Sequence, residues 1–259
     1  MNDAALKYLA RNPPEERQPD QAAEEYVARL ANEAYGFRRT AMTNWDIECE
    51  NEHVRFQVPD NQDACVQTRL PLFVPNDAKH LDDNELFYYY EVMIVSVGNS
   101  TSIAIGLATD QYPSYRLPGW NIHSVGYHSD DGRKYLDDSK GGQTYGPPYG
   151  KGDTVGVAYW PKSGFVIFCL NGRQLGVAFT GTRHVWHPTV GADGECTLRV
   201  NFGRYPFKNT SLFDGARSVY GLAFTKSPPP QASSSVAGYA LQTTSDEKND
   251  LPAYTTNSG

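Results

Sequence analysis

Cysteine is scarce and poorly placed for chemistry. The four in 259 residues, Cys49, Cys65, Cys169 and Cys196, form no CxxC and belong to no Cys/His ligand group. That pattern excludes a zinc cage or a redox pair, and Cys169, inside an apolar run, reads as a reduced buried thiol of a cytosolic chain. Long apolar runs are missing as well. No window approaches the roughly eighteen residues of a membrane span. The N-terminus has no apolar signal-peptide core, so neither segment is expected within this sequence. Positive charge is short: Lys and Arg total 23 against 30 Asp and Glu, a formal −7, with no local basic cluster. Nucleic acid is therefore not an expected partner, because phosphate binding needs a basic patch.

Catalytic patterns are lacking too. No GxSxG elbow exists, and Ser124 and Ser163 sit in ordinary turn or strand contexts. His123, His128, His184 and His187 come without HExxH, HxH-plus-acid or Cys/His spacing, so no metal is expected. The Gly-rich run GGQTYGPPYGKG at 141–152 lacks the GK[ST] ending and following helix of a phosphate cradle. Its Tyr145, Pro147, Pro148 and Tyr149 read better as a rigid loop. With no nucleophile–base arrangement left, the chain is not expected to be an enzyme or to use a cofactor.

What is present favours β structure. Aromatics make up 12%, with 23 Gly and 17 Pro, and mean hydropathy is −0.55, as in a soluble protein rich in tight turns. Residues 1–40 read as two short helices: Leu6 and Leu9, then Val27, Leu30 and Ala34, recur at spacings of three and four. Pro13 and Pro14 separate them, and Gly36 is placed to close the second. From Trp45 to Phe207 the period becomes two. Ile103, Ile105 and Leu107 alternate with Ser102, Ala104, Gly106 and Ala108, giving a bulky and a small face. Val155, Val157 and Tyr159, and Leu198, Val200 and Phe202, repeat the alternation. Phe87–Val95 and Phe165–Leu170 are apolar at nearly every position, as strands covered on both faces would be. Asn171-Gly172 is a strong hairpin signal, since both residues tolerate positive φ. The expectation is an all-β, two-sheet antiparallel β-sandwich with short N-terminal helices. After about Lys226, SPPPQASSS begins a Ser/Thr/Pro-rich stretch that reads as a flexible arm.

Within the β region, LPGWNIHSVGYHSDDGRKY at 117–135 sets turn residues around isolated aromatics, a pattern of recognition more than of chemistry. YYYEVMI at 88–94, IAIGLAT at 103–109, LPGW at 117–120 and SVGYHSDDGRKY at 124–135 are followed by GDTVGV at 152–157, FCLNGRQLGVAF at 168–179, HPTVG at 187–191 and VNFG at 200–203. This ordered set resembles a SPRY (B30.2-like) domain over roughly residues 45–207. The PGW…SxGYHxDDG run is similar to the SPRY domain of Ran-binding-protein-like subunits of GID/CTLH ubiquitin ligases. CVQTRLPLF at 65–73 and IGLATDQYPSYRLPG at 105–119 resemble more the fungal endosomal and vacuolar SPRY adaptors of NEDD4-type HECT ubiquitin ligases. The membrane anchor of those adaptors and the LisH and CTLH segments of the GID-type proteins are not found in this sequence.

The resemblance implies a SPRY domain at 45–215, a helical extension at 1–44 and a flexible tail at 216–259. It implies binding of a protein or peptide through loops at one end of the sandwich. The aligned positions are Tyr115, Arg116, Pro118, Trp120, Asp130, Asp131 and Tyr135, joined by Ala192 and Asp193. Aromatics and Arg suit that role through area and planar donors. A plainer account competes for some of them: Gly119, Gly126 and Gly132 as turn geometry, the Asp130-Asp131 carboxylates as caps of local amides, and Tyr127 and His128 as packing groups. In the tail, Leu251-Pro252-Ala253-Tyr254 fits the LPxY form of a WW-binding PY motif. The expected function is a non-catalytic adaptor delivering cargo to the WW domain of a HECT ubiquitin ligase. The alternative is a substrate-recognition or scaffold subunit of a GID/CTLH-like ligase. The expected location is cytoplasmic, with recruitment to endosomal or vacuolar membranes.

Overall fold

A computed structural model describes residues 2–13, 20–30, 34–38, 45–50, 52–72 and 86–209. Two helices come first. α1 (Asn2–Arg11) carries Asp3 in its first turn and Arg11 in its last, both complementing the helix dipole. It stops before Pro13, with the Asn12 side-chain amide donating to the Tyr8 carbonyl at 2.9 Å. α2 (Gln21–Leu30) is N-capped by Asp20, whose Oδ1 accepts the Ala23 amide at 2.9 Å. It ends ahead of Gly36, which lies on the approach to the first strand, where its carbonyl accepts from the Arg69 amide. Gly36 is thus part of a strand entry.

The strands among the described residues are β1 (Phe37–Arg38), β2 (Asp46–Glu50), β3 (His53–Gln57), β4 (Ala64–Thr68), β5 (Tyr88–Val97), β6 (Ile103–Thr109) and β7 (Ser124–His128), then β8 (Arg133–Leu136), β9 (Gln143–Thr144), β10 (Thr154–Trp160), β11 (Phe165–Leu170), β12 (Arg173–Phe179), β13 (Trp186–Ala192) and β14 (Cys196–Asn201). They form two seven-stranded sheets, ordered β1-β4-β13-β6-β7-β8-β9 and β12-β11-β10-β5-β14-β3-β2. Every pairing is antiparallel. The expected sandwich is the observed fold.

The alternation read from sequence is the division between core and outer face. Ile103, Ile105 and Leu107 of β6 face Tyr88, Tyr90, Val92 and Ile94 of β5 in one continuous core with Val155, Val157, Leu198 and Val200. Each such side chain contributes roughly 1.5–3 kcal/mol by leaving water. α2 joins this core through Ala23, and β1 through Phe37, whose ring lies 5.7 Å from Phe202. Asn171 (φ +52°) and Gly172 (φ +82°) turn β11 into β12, as their sequence demands.

The outer face of the second sheet has an apolar patch on β5, β10 and β11, and the chain returns over it. Phe207 stands edge-on to Tyr89 at 4.8 Å, above a cluster of Phe87, Tyr89, Ala158 and Cys169. The Lys208 and Asn209 amides both donate to the buried Glu91 carboxylate at 3.0 Å, and Asn209 Nδ2 donates to Cys169 Sγ at 3.0 Å. Burial raises the Cys169 thiol to about 11, so it remains protonated.

Candidate partner-binding surface

The small face of the first sheet exists to seat a loop. Residues 110–123, between β6 and β7, fold back over that face, entered and left through left-handed residues Gln111 (φ +64°) and His123 (φ +64°). Tyr112 packs on Ala108 and Cys65, and its hydroxyl donates to the Leu117 carbonyl at 2.6 Å. Cys65 N donates to the Ser114 carbonyl at 2.7 Å, and Thr109 N to the His123 carbonyl at 3.0 Å. Gly126, in the middle of β7, is required by this packing: a Cβ there would run into the Pro118 carbonyl oxygen. Its role is close approach within a strand, whereas Gly119 (φ +96°) and Gly132 (φ +68°) do shape turns.

Arg116 anchors the loop from inside. Its Nη1 meets the Asp63 carboxylate at 2.9 Å, its Nε donates to Asn121 Oδ1 at 2.8 Å, and its guanidinium lies 4.8 Å from the centre of the Trp120 ring. Burial pushes the Asp63 carboxyl up to about 6; the Arg116 charge opposes this and the neighbouring Asp193 adds to it. Asp193 is itself tied down, accepting from Ser102 N at 2.5 Å, and is raised by burial.

From Trp120 the aromatic row continues through His128 to Tyr135. The Trp120 ring lies 5.5 Å from His128, and His128 lies 4.3 Å from Tyr135. His128 is fully buried, and burial lowers its pKa, so the ring is neutral and Nε2–H donates to the Pro118 carbonyl at 2.9 Å. The Tyr135 hydroxyl donates to Asp131 Oδ2 at 2.7 Å, while Asp131 Oδ1 accepts the Arg133 amide at 2.9 Å.

The structure therefore sorts the residues singled out in the sequence. Tyr115 and Trp120 of the loop, Asp130 of the β7–β8 turn and Tyr135 of β8 reach the surface. Arg116 and Pro118 are buried within the loop's own packing, and Asp131 is spent on capping the turn. Ala192 is fully buried in the sandwich core, opposite Ile103 and Ala64, and presents nothing to a ligand. Asp193 fastens the β13–β14 turn to Ser102. Two contributors lie outside the sequence reading. Asp63 gives no signal, since nothing local marks a carboxylate whose partner is 53 residues away. Ile122, two positions from Trp120, is 40% exposed. Trp120 Nε1, Ser114 Oγ and His123 Nδ1 are buried in this loop without a hydrogen-bond partner. Such groups are uncommon in protein interiors. Leu251, Pro252 and Tyr254 lie outside the described residues. Among those residues no group of three or more His, Cys, Asp and Glu is placed to hold a metal, and no helix is long and apolar enough to cross a membrane.

A two-sheet sandwich with this loop laid on one sheet defines a SPRY-domain protein, and residues 87–205 match the SPRY domain family model. The chain carries a SPRY domain, a fold of protein interaction. It is 32% identical over 249 residues to Protein ssh4 of Neosartorya fischeri, an alignment covering 92% of this chain and 45% of that protein. It is 40% identical over 179 residues to a SPRY domain-containing protein of Schizosaccharomyces pombe, covering 68% of this chain and 43% of the relative. The chain thus spans a little under half the length of these curated relatives. A crystal structure of a human SPRY domain shares the fold, with TM-score 0.52 and 24% identity, covering 63% of this chain and 100% of that one. The family match starts at residue 87, yet β1 to β4 lie ahead of it and contribute strands to both sheets.

Proposed function

We propose that the chain is a non-catalytic adaptor whose domain, taken as residues 45–215, captures a partner or cargo protein through Tyr115, Trp120, Asp130 and Tyr135. The observation that carries this reading is the aromatic row Trp120–His128–Tyr135. It is held rigid from below by Arg116 and Asp63, and it ends in a buried indole N–H with no partner. Preorganised aromatics are what a protein interface exploits, because little side-chain freedom is lost on binding. Delivery of the captured protein is supported by sequence alone: Leu251, Pro252 and Tyr254 in the 216–259 tail would engage a WW domain of a HECT ubiquitin ligase. Tethering then raises the concentration of substrate lysines at the ligase. In this reading the protein works in the cytoplasm and is recruited to endosomal or vacuolar membranes.

The test is affinity capture with wild-type, Trp120→Ala and Tyr135→Ala chains, each checked for folding by near-ultraviolet circular dichroism. Partners retained by wild type and lost by both variants are the expected result. The same partners recovered by all three chains would remove the loop face from the function.

A further inference from the structure

α1 lies on the very loop assigned to the partner. Asn2 Oδ1 accepts from Asn121 Nδ2 at 2.9 Å, and the Tyr8 hydroxyl donates to Gln111 Oε1 at 3.4 Å, so both ends of the helix are fixed to residues 110–121. Burial, together with the charges of Tyr115 and Asp110, raises the Tyr8 pKa. Ala5 is 0% and Leu9 3% exposed, one and two turns along from Asn2 on the same helix face, whereas Leu6 is 46% exposed. Asn121 also accepts from Arg116, so the contact reaches the buried anchor of the loop. A ten-residue helix is marginal by itself in water. Its order therefore needs tertiary contacts, and these two hydrogen bonds are among them.

We propose that the 110–121 loop is a helix-binding surface whose ligand is a short amphipathic helix with the Asn2–Ala5–Tyr8–Leu9 pattern, and that α1 is the occupant supplied in cis. This rests on the adaptor reading of the same loop and names the chemistry of its partner. A small residue at the position of Ala5 lets the helix backbone approach, a leucine one turn on is buried, and an amide and a hydroxyl pair with Asn121 and Gln111. A partner helix of that pattern displaces α1. Tethered, α1 competes at millimolar effective concentration, so the partner binds only when local or when α1 is drawn away.

The probe is a fluorescein-labelled peptide of residues 2–13, titrated into the full wild-type chain and into full chains carrying Leu9→Asp or Ala5→Glu. Both variants change a helix outside the two sheets, and near-ultraviolet circular dichroism verifies that the sandwich is intact. Anisotropy is expected to show at least ten-fold tighter peptide binding to both variants than to wild type. Hydrogen exchange of amides 110–123 is expected to quicken in the variants and slow again with peptide. Folded variants that bind the peptide no better than wild type overturn the proposal, as does unchanged exchange of the loop. A wild-type dimer lost in Leu9→Asp would seat the helix of a second copy there and overturn the partner assignment. Capture lost in Trp120→Ala while the peptide fails to bind refutes the helix surface alone and leaves the adaptor reading standing.

Discussion

Asp63 and Arg116 form an ion pair at 2.9 Å with side chains only 5% and 6% exposed. The pair joins the entry of β4 to the loop that carries Trp120. Removing one member strands the other in the interior, which typically costs about 3–5 kcal/mol. Arg116→Met is expected to lose that much stability in urea unfolding. Asp63→Asn combined with Arg116→Met is expected to recover a large part, since the unpaired charge is then gone. Equal losses in the single and double variants would show that the pair is not what holds the loop.

Gly126 supplies a second test of the same seat. The Cβ of Gly126→Ala would meet the Pro118 carbonyl oxygen, a backbone atom that can move only with the whole loop. A loss of about 1–3 kcal/mol is expected, in the range of other overpacked sites. The tryptophan fluorescence of the loop should shift with it. A variant as stable as wild type would mean that the loop does not rest on β7.

Acid should act through His187, whose Nδ1–H donates to the Thr68 carbonyl at 2.9 Å. Burial lowers its pKa from the ordinary 6.5 to about 4, against the pull of Asp110. The folded state thus holds the neutral ring. The associated stability is present above pH 6.5 and is lost as pH falls toward about 4, to the extent of about 3 kcal/mol. Asp63 runs the other way: raised from 3.8 to about 6, it contributes stability that is full below 3.8 and lost as pH rises through about 6. Because the two slopes oppose, His187→Gln should unmask the second. Between pH 6.5 and 4 the variant should lose about 3 kcal/mol less unfolding free energy than wild type does. A parallel pH profile for the two chains would show that His187 is not buried neutral.

The tail motif makes an independent prediction. A peptide spanning Leu251 to Tyr254 with its flanks should bind a WW domain of a NEDD4-type ligase, and Tyr254→Ala should weaken it at least ten-fold, about 1.4 kcal/mol or more, by emptying the tyrosine pocket. Unchanged affinity in a fluorescence titration would remove the ligase arm of the proposed function and leave partner capture untouched.

Much of the sandwich is legible in the sequence because its signals are local. A period of two at Ile103–Leu107 fixes which face meets the other sheet, and Asn171-Gly172 fixes a hairpin, with no knowledge of what lies across the sheet. The small face of Ala104, Gly106 and Ala108 is visible too, but not its purpose, since an alternation cannot say which loop will cover it. Between Leu117 and Tyr135 the turns fall where Gly, Asn and Asp gather. Individual residues there are harder to read: Arg116 and Pro118 have the composition of interface residues and are buried, while Ala192 sits at a strand end yet points into the core.

Fold class and turns follow from the amino-acid sequence without further help, because they depend on spacing along the chain and on which residue types are present. Three relationships came only with the folded chain: Asp63 holds Arg116, Gly126 admits the Pro118 carbonyl, and α1 rests on Asn121 and Gln111. Each joins residues in separate elements, and two of the three span more than fifty positions. Each also depends on burial, which turns a charge or a missing methyl group into kilocalories only after the two sheets have closed over their core.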